Sequence, residues 1–298
     1  MIDVVAFGEI LWDMIDGKAY IGGAPFNFAA HAVQCGFSAA TVSCVGDDAL
    51  GHAARNEMMR HNVDRRWTDT DPAHATGTVT VALQNGQPTY TIHECVAWDY
   101  ITLNNPSMIA LRNEYPRAIY FGTLAQRSLI SRGTLATLLD TLRNALVFYD
   151  VNLRQDYWSI PLVEQGLARA AIIKVNAEEA RTLGRLLFNG ACEPASFSEA
   201  VFRCYPAIRI VVVTLGADGC VVSERAVETA FCPCAQVDVV DTVGAGDAFS
   251  AAFLAALLRG ETAREAAEAG NDRGTWVASR HGAVPACAAA AQTVPCQS

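Results

Sequence analysis

No apolar run in the 298 residues comes near the roughly 18 that a membrane-crossing helix needs. Basic residues are few and scattered: 22 Lys and Arg stand against 31 Asp and Glu, a net charge of −9, and the longest cluster is the pair Arg65-Arg66. That excludes the positive stripe of a nucleic-acid-binding surface. No Gly-x-Gly-x-x-Gly follows the first strand or occurs elsewhere, which argues against a nicotinamide dehydrogenase. No Gly-Lys-Ser or Gly-Lys-Thr occurs, which argues against a Walker-type nucleotidase. There is no Cys-x-x-Cys pair, and Cys232-x-Cys234 has the wrong spacing for zinc. Internal repeats and linkers rich in Pro, Gly or Ser are missing too. Met1-Ile2-Asp3 is expected to enter a strand directly, without a secretory leader. The ten cysteines (35, 44, 95, 192, 204, 220, 232, 234, 287 and 296) are therefore expected to be reduced, mostly buried thiols of a cytoplasmic protein.

With 51% hydrophobic and 18% charged residues, the chain has the composition of an ordinary globular protein and can bury one large α/β core or two modest domains. Its most informative stretch lies near the C-terminal end. The apolar Val237, Val239 and Val240 predict a strand end, followed by Asp241-Thr242-Val243-Gly244-Ala245-Gly246-Asp247. Ala248 to Leu258 then reads as a buried helix closed by Arg259-Gly260. The first amides of that helix lack partners within it, its dipole attracts negative charge, and glycine lets a ligand approach the backbone. This is an anion site, typically for phosphate. Asp247 brings a carboxylate there, with two readings. It caps the helix, or it takes a proton from an acceptor hydroxyl while the amides stabilise a moving phosphoryl group. In the second reading the dipole is expected to keep Asp247 ionised at neutral pH.

Taken in order, Ile2 to Phe7 is a strand ending at Gly8-Glu9, and Asp13 follows in what reads as a loop. Gly22-Gly23-Ala24-Pro25 opens a helix through Val33 that stops at Gly36 and carries Asn27 in its first turn, where an amide can serve as a cap. A strand over 41–45, the turn Gly46-Asp47-Asp48 and a helix from about Leu50 to His61 come next. Thr76 to Leu83 alternates at period 2, turns through Gln84-Asn85-Gly86-Gln87-Pro88 and returns as Thr89 to His93, a hairpin with one exposed face. His31 and His93 have no partner at useful spacing and read as structural. Strands over 118–121 and 145–149 flank a helix from Ser131, its expected cap, to Arg143. The polar run Asp150-Val151-Asn152-Leu153-Arg154 lies beyond a strand end, where doubly wound sheets bind ligands, although turn chemistry also explains Asp150 and Asn152. Ile172 to Val175 is a strand, and Asn176-x-x-Glu179 has the spacing of a helix cap. Ile208 to Thr214 is a continuous apolar strand before Gly216 and a hairpin, 262–279 is helical, and the tail from Cys287 is low-complexity Ala.

The run from Asp241 to Asp247 resembles the C-terminal signature of the PfkB, or ribokinase-like, carbohydrate kinases, and the glycine pair, Asn27 and the Val45-Gly46-Asp47 turn resemble the N-terminal one. Glu94 to Asp99 resembles the segment after the lid of bacterial fructokinases, the members this chain most resembles. The resemblance implies an α/β fold, a three-layer α/β/α sandwich on a mostly parallel sheet, as a single domain over 1–298 with a small β-sheet lid from about 14–22 and 76–101. It implies Asp247 as base, with Gly244, Ala245 and Gly246 as anion hole, and Asp13, Gly22, Gly23, Asn27 and Arg154 around the sugar. Lys174, Asn176, Thr214, Gly216 and Asn271 would serve ATP, Glu179 would serve Mg²⁺ through water, and Asp241 with Gly282 to Pro285 would hold a monovalent cation such as K⁺. Asp272-Arg273-Gly274 departs from the family, where this stretch is often alanine-rich. The expected reaction is phosphorylation of a primary hydroxyl of a small sugar, with fructose first among acceptors that include ribose, 2-keto-3-deoxygluconate and nucleosides. The other implied readings are a sugar-binding relative without catalysis and pairing of two copies through the lid.

Overall fold

Val4–Phe7 is apolar and buried at every position, as a strand covered on both faces must be. It is β1 of a computed structural model that describes residues 1–15, 17–84 and 87–286, with backbone alone for 81–89. The Asn85-Gly86 turn and the tail with Cys287 and Cys296 lie outside the described residues. After β1 come β2 (Leu11–Ile15), β3 (Lys18–Gly22), α1 (Ala24–Gln34), β4 (Ala39–Gly46), α2 (Ala49–Arg60) and β5 (Thr68–Asp71). Then follow β6 (Gly77–Gln84), β7 (Gln87–Ile92), α3 (Asn105–Arg112), β8 (Ala118–Gly122), α4 (Leu129–Thr141), β9 (Leu146–Asp150) and α5 (Ile160–Arg169). The chain continues through β10 (Ile172–Asn176), α6 (Ala177–Leu187), α7 (Pro194–Cys204), β11 (Ile210–Thr214), β12 (Cys220–Glu224), β13 (Ala230–Cys232), α8 (Ala245–Arg259) and α9 (Ala263–Ala278).

Nine strands form one sheet in the order β13-β12-β11-β10-β9-β8-β1-β4-β5. Every pair from β5 to β11 is parallel, and β12 and β13 close the other edge antiparallel. Alternation along the strands divides the core in two. Val5 and Phe7 pack with Leu135 and Leu138 of α4, Val163 of α5, Leu183 of α6 and Phe197 of α7. Val4 and Ala6 pack with Phe26 and Phe28 of α1, Met58 of α2, Phe253 of α8 and Ala266 of α9. Helices thus cover both faces, the three-layer arrangement that strand–helix alternation predicts. A second, four-stranded sheet, β3-β2-β6-β7, is antiparallel except where β2 meets β6. No described helix is long and apolar enough to cross a membrane.

Four local expectations need correction. Val237, Val239 and Val240 form no strand; they are exposed, and Val240 N donates to Ala278 O. The cap of α4 is Ser128, whose Oγ accepts from Ile130 N, while Ser131 is buried inside the helix and bridges Trp98 O and Ile101 N. Asp13 belongs to strand β2 rather than a loop, in register with Tyr20 and Val79. Of the eight described cysteines all are free thiols, but only Cys44, Cys220 and Cys232 are buried.

Candidate active site

The carboxyl ends of β1, β9, β10 and β11 point to one edge of the sheet, and the amino end of α8 lies there with them. Gly244 caps α8 in the left-handed conformation, φ 76°, with Ala283 so close that a Cβ would stand 2.6 Å from its carbonyl oxygen. Only glycine fits that position. The first amides of α8 precede any acceptor within the helix; that of Ala245 takes a long bond to Thr242 O, 3.3 Å, and Ala248 N is the first to bond Gly244 O. Asp247, in the first turn, receives a hydrogen bond from Asn27 Nδ2 at 2.8 Å. Asn27 is not the cap of α1, which is Gly23.

Asp247 is partly exposed yet crowded by protein. Burial is the largest influence on its carboxyl and pushes it up to about 6, the Asn27 hydrogen bond opposing, Asp150 adding, and Lys174 and Arg154 drawing it back. At about 6 the carboxyl is raised by burial yet still mostly ionised at neutral pH. Neighbouring Glu9, just beyond the end of β1, is 3% exposed, a burial that no local pattern in the sequence signals. Its Oε1 accepts from Ala24 N, the first residue of α1, at 3.3 Å, and Oε2 is buried without a partner. Burial raises its carboxyl to about 7, Asp247 adding and Arg154 opposing. Asp13 is raised by burial and lowered by Arg154. Arg154 itself is exposed, and its charge reaches Glu9, Asp13 and Asp247 together.

Gly22 and Gly23 make room for these acids. A Cβ on Gly22 would lie 2.7 Å from Asp13 Oδ2, and one on Gly23, at φ 104°, 2.4 Å from Glu9 O. Gly23→Ala is therefore expected to lose at least about 2 kcal/mol of stability, through strain and displaced backbone. Thermal denaturation reads this, and an unchanged melting temperature would refute the close fit.

The remaining predicted residues fall into two groups. Asn176 caps α6 by accepting from the amides of Glu178 and Glu179, both at 2.9 Å, and Glu179 returns the bond through Oε2 to Asn176 N, 2.8 Å. Glu179 Oε1 accepts from Leu153 N at 2.7 Å, tying α6 to the residue before Arg154. Both carboxylate oxygens are thus engaged with backbone, and burial raises this carboxyl too. Thr214 stands beside Asn176 across β10 and β11, with exposed Gly216 beyond it. Elsewhere, Lys174 is buried beneath α8 in an ion pair with Asp150, 2.8 Å. Asn271 is buried on α9 and donates to Cys232 O at 2.8 Å. Asp241 accepts from Val243 N and Gly282 N, both at 3.0 Å.

Among the described residues no cluster of three or more His, Cys, Asp or Glu is arranged to hold a metal. The geometry brings together a helix start with open amides, a hydrogen-bonded carboxylate and two glycines packed against Asp13 and Glu9, an arrangement that suits phosphoryl transfer to a hydroxyl.

Comparison with known proteins agrees. The chain is 29% identical over 276 residues to an uncharacterized sugar kinase of Pyrococcus horikoshii, 86% of this chain and 83% of that one. It is 29% identical over 285 residues to the fructokinase of Escherichia coli, 93% and 89% of the two chains. The structure of a Xylella fastidiosa fructokinase with bound ATP matches at a TM-score of 0.84 over 95% of this chain and 94% of that one; at 19% identity this is a likeness of fold. A model of the pfkB family carbohydrate kinases matches residues 1–290, so the chain, with its ribokinase-like α/β fold, belongs to the PfkB family of carbohydrate kinases.

Proposed function

We propose that this kinase transfers the γ-phosphoryl group of ATP to a primary hydroxyl of a small sugar, D-fructose first, giving fructose 6-phosphate and ADP. The observation that carries the reading is the 2.8 Å bond from Asn27 to Asp247. It joins the glycine-pair end of the chain to the anion-hole end across 220 residues. Asp247 takes the hydroxyl proton, the freed oxygen forms a bond to the γ-phosphorus, and the bond from phosphorus to the ADP oxygen breaks. The amides of Gly244, Ala245 and Gly246 face the charge on the moving group. Asp13, Gly22, Gly23, Asn27 and Arg154 hold the sugar; carboxylate and amide side chains can each bond two neighbouring hydroxyls.

Asn176, Thr214, Gly216 and Asn271 are assigned to the nucleotide, with Lys174 supporting the phosphate end from below. Glu179, whose two oxygens already accept from backbone amides, would hold the Mg²⁺ of Mg·ATP through water, and that ion would offset charge on the phosphates. The four-stranded sheet closes over the sugar and keeps out water that would compete for the phosphoryl group. Its exposed Ile15, Tyr20 and Tyr90 favour pairing of two copies through the same sheet.

Coupled ADP release with Mg·ATP tests the reading, with fructose, ribose, 2-keto-3-deoxygluconate and a nucleoside in parallel. Turnover on fructose is expected. Turnover on another acceptor alone replaces the substrate, and fructose binding without any turnover replaces the enzyme by a sugar-binding relative.

A further inference from the structure

Arg273 lies in α9 at the point where the sequence departs from its family, and it reaches across to α1. Its Nε and Nη2 donate to His31 Nδ1 at 3.3 and 3.0 Å, and Nη2 also donates to Gln34 Oε1. A guanidinium can only donate. His31 Nδ1 is therefore an acceptor, and the proton of the neutral ring sits on Nε2, which donates to Ala283 O at 2.9 Å. Burial, joined by the charge of Arg273, pushes the His31 pKa down to about 4, so the ring stays neutral at working pH. Gln34 is oriented the same way: its oxygen faces Arg273 and its Nε2 donates to Pro285 O at 3.0 Å. One guanidinium thus selects a tautomer and an amide orientation, and both selected donors hold carbonyls of the 282–285 loop.

That loop supports the start of α8. Gly282 N donates to Asp241 Oδ2, whose other oxygen takes Val243 N, and Ala283 stands against Gly244 with no space for a side chain between them. A monovalent cation at Asp241 and this loop does not fit the donors well. The Asp241 carboxylate and the carbonyls of Ala283 and Pro285 already accept hydrogen bonds, and a permanent positive charge stands behind the last two.

We propose that Arg273 is a positioning residue for the anion hole: through His31 and Gln34 it presses the 282–285 loop against Gly244, so that turnover needs no added monovalent cation. This rests on the 244–246 amides acting as the anion hole.

The test compares wild type, Arg273→Ala and Arg273→Lys on the acceptor that wild type uses, in potassium, sodium and choline salts of equal ionic strength. Wild type is expected to turn over at rates within about twofold in all three, and Arg273→Ala to lose about tenfold or more in kcat with sugar KM within about twofold, since misplacing a catalytic array costs rate rather than binding. Added guanidinium should restore part of that loss, and Arg273→Lys, without the planar fork, should not recover it. Strong potassium stimulation of wild type overturns the proposal, as does an undiminished kcat in Arg273→Ala. Where Arg273→Ala does not fold, hydrogen exchange on Arg273→Lys decides. Faster exchange at 241–247 and 282–284, with β1 and β8 still protected, supports the proposal; unchanged exchange there overturns it. Wild type inactive on every acceptor would instead sink the kinase reading, and exchange alone would then judge Arg273.

Discussion

Asp247→Asn is expected to lower kcat by about 10²- to 10⁴-fold, the range for loss of a positioned general base, and to raise the melting temperature at neutral pH. The new amide has nearly the same size, and its oxygen can still accept from Asn27 Nδ2. What disappears is a proton acceptor and a crowded negative charge. The folded protein holds the Asp247 proton more tightly than an unfolded chain does, since burial raises the carboxyl from its ordinary range to about 6. Stability from that proton is fully present below the ordinary carboxylate pKa and is lost as pH rises through about 6. Above that pH wild type bears the cost of an ionised, partly desolvated acid and the variant does not. The difference in melting temperature should therefore shrink in acid. Activity has the opposite sign, because a base must be ionised: kcat/KM of wild type should climb through an apparent pKa of about 6. Glu9, raised to about 7, is coupled to Asp247, so the apparent value belongs to the two carboxyls together. A kcat/KM flat between about pH 5 and 8, or an Asp247→Asn enzyme of normal rate, would remove Asp247 from the reaction.

Lys174→Met carries the largest expected effect on stability, a loss of about 3–5 kcal/mol. Lys174 Nζ lies 3.0 and 2.8 Å from the two oxygens of Asp150, and the side chains are 9% and 1% exposed. Burial alone would lower the ammonium pKa, but the Asp150 carboxylate outweighs it and holds Lys174 above its usual range. Asp150 also accepts from Tyr120 OH at 3.1 Å and from Ser250 Oγ at 2.9 Å. Ser250 Oγ in turn lies 3.0 Å from Gly246 O, so the pair sits directly under the start of α8. Without the ammonium a carboxylate is left in the core and must take up a proton, so Lys174→Met should regain stability as pH falls. Adding Asp150→Asn should recover part of the loss at neutral pH, which urea denaturation in a double-mutant cycle would measure. Lys174 also lowers the Asp247 carboxyl, so its removal should move the acid limb of kcat/KM upward. Unchanged stability with a raised KM for ATP would instead make Lys174 a direct nucleotide contact.

Much of this protein is decided within short windows of its sequence. The wholly apolar Val4–Phe7 and the apolar run 210–213 ahead of Thr214 read as strands covered on both sides. The capping boxes Asn176-x-x-Glu179 and Thr262-x-x-Glu265 start α6 and α9 where their spacing says. Gly244 and the apolar run after it dictate α8 and its open amides. These are local because hydrogen-bond rings and side-chain periods close over three or four residues. Where several similar signals compete nearby, tertiary contacts choose: Ser128 caps α4 because Ser131 is taken into the core by Trp98 and Ile101, and Val237 to Val240 find no strand to pair with. Only the tertiary structure brings Asn27 to Asp247, commits Lys174 to Asp150, buries Glu9 and sets Arg273 behind Ala283 and Pro285. Charge pairing and desolvation depend on which distant groups share a low-dielectric space, and no period along the chain encodes that.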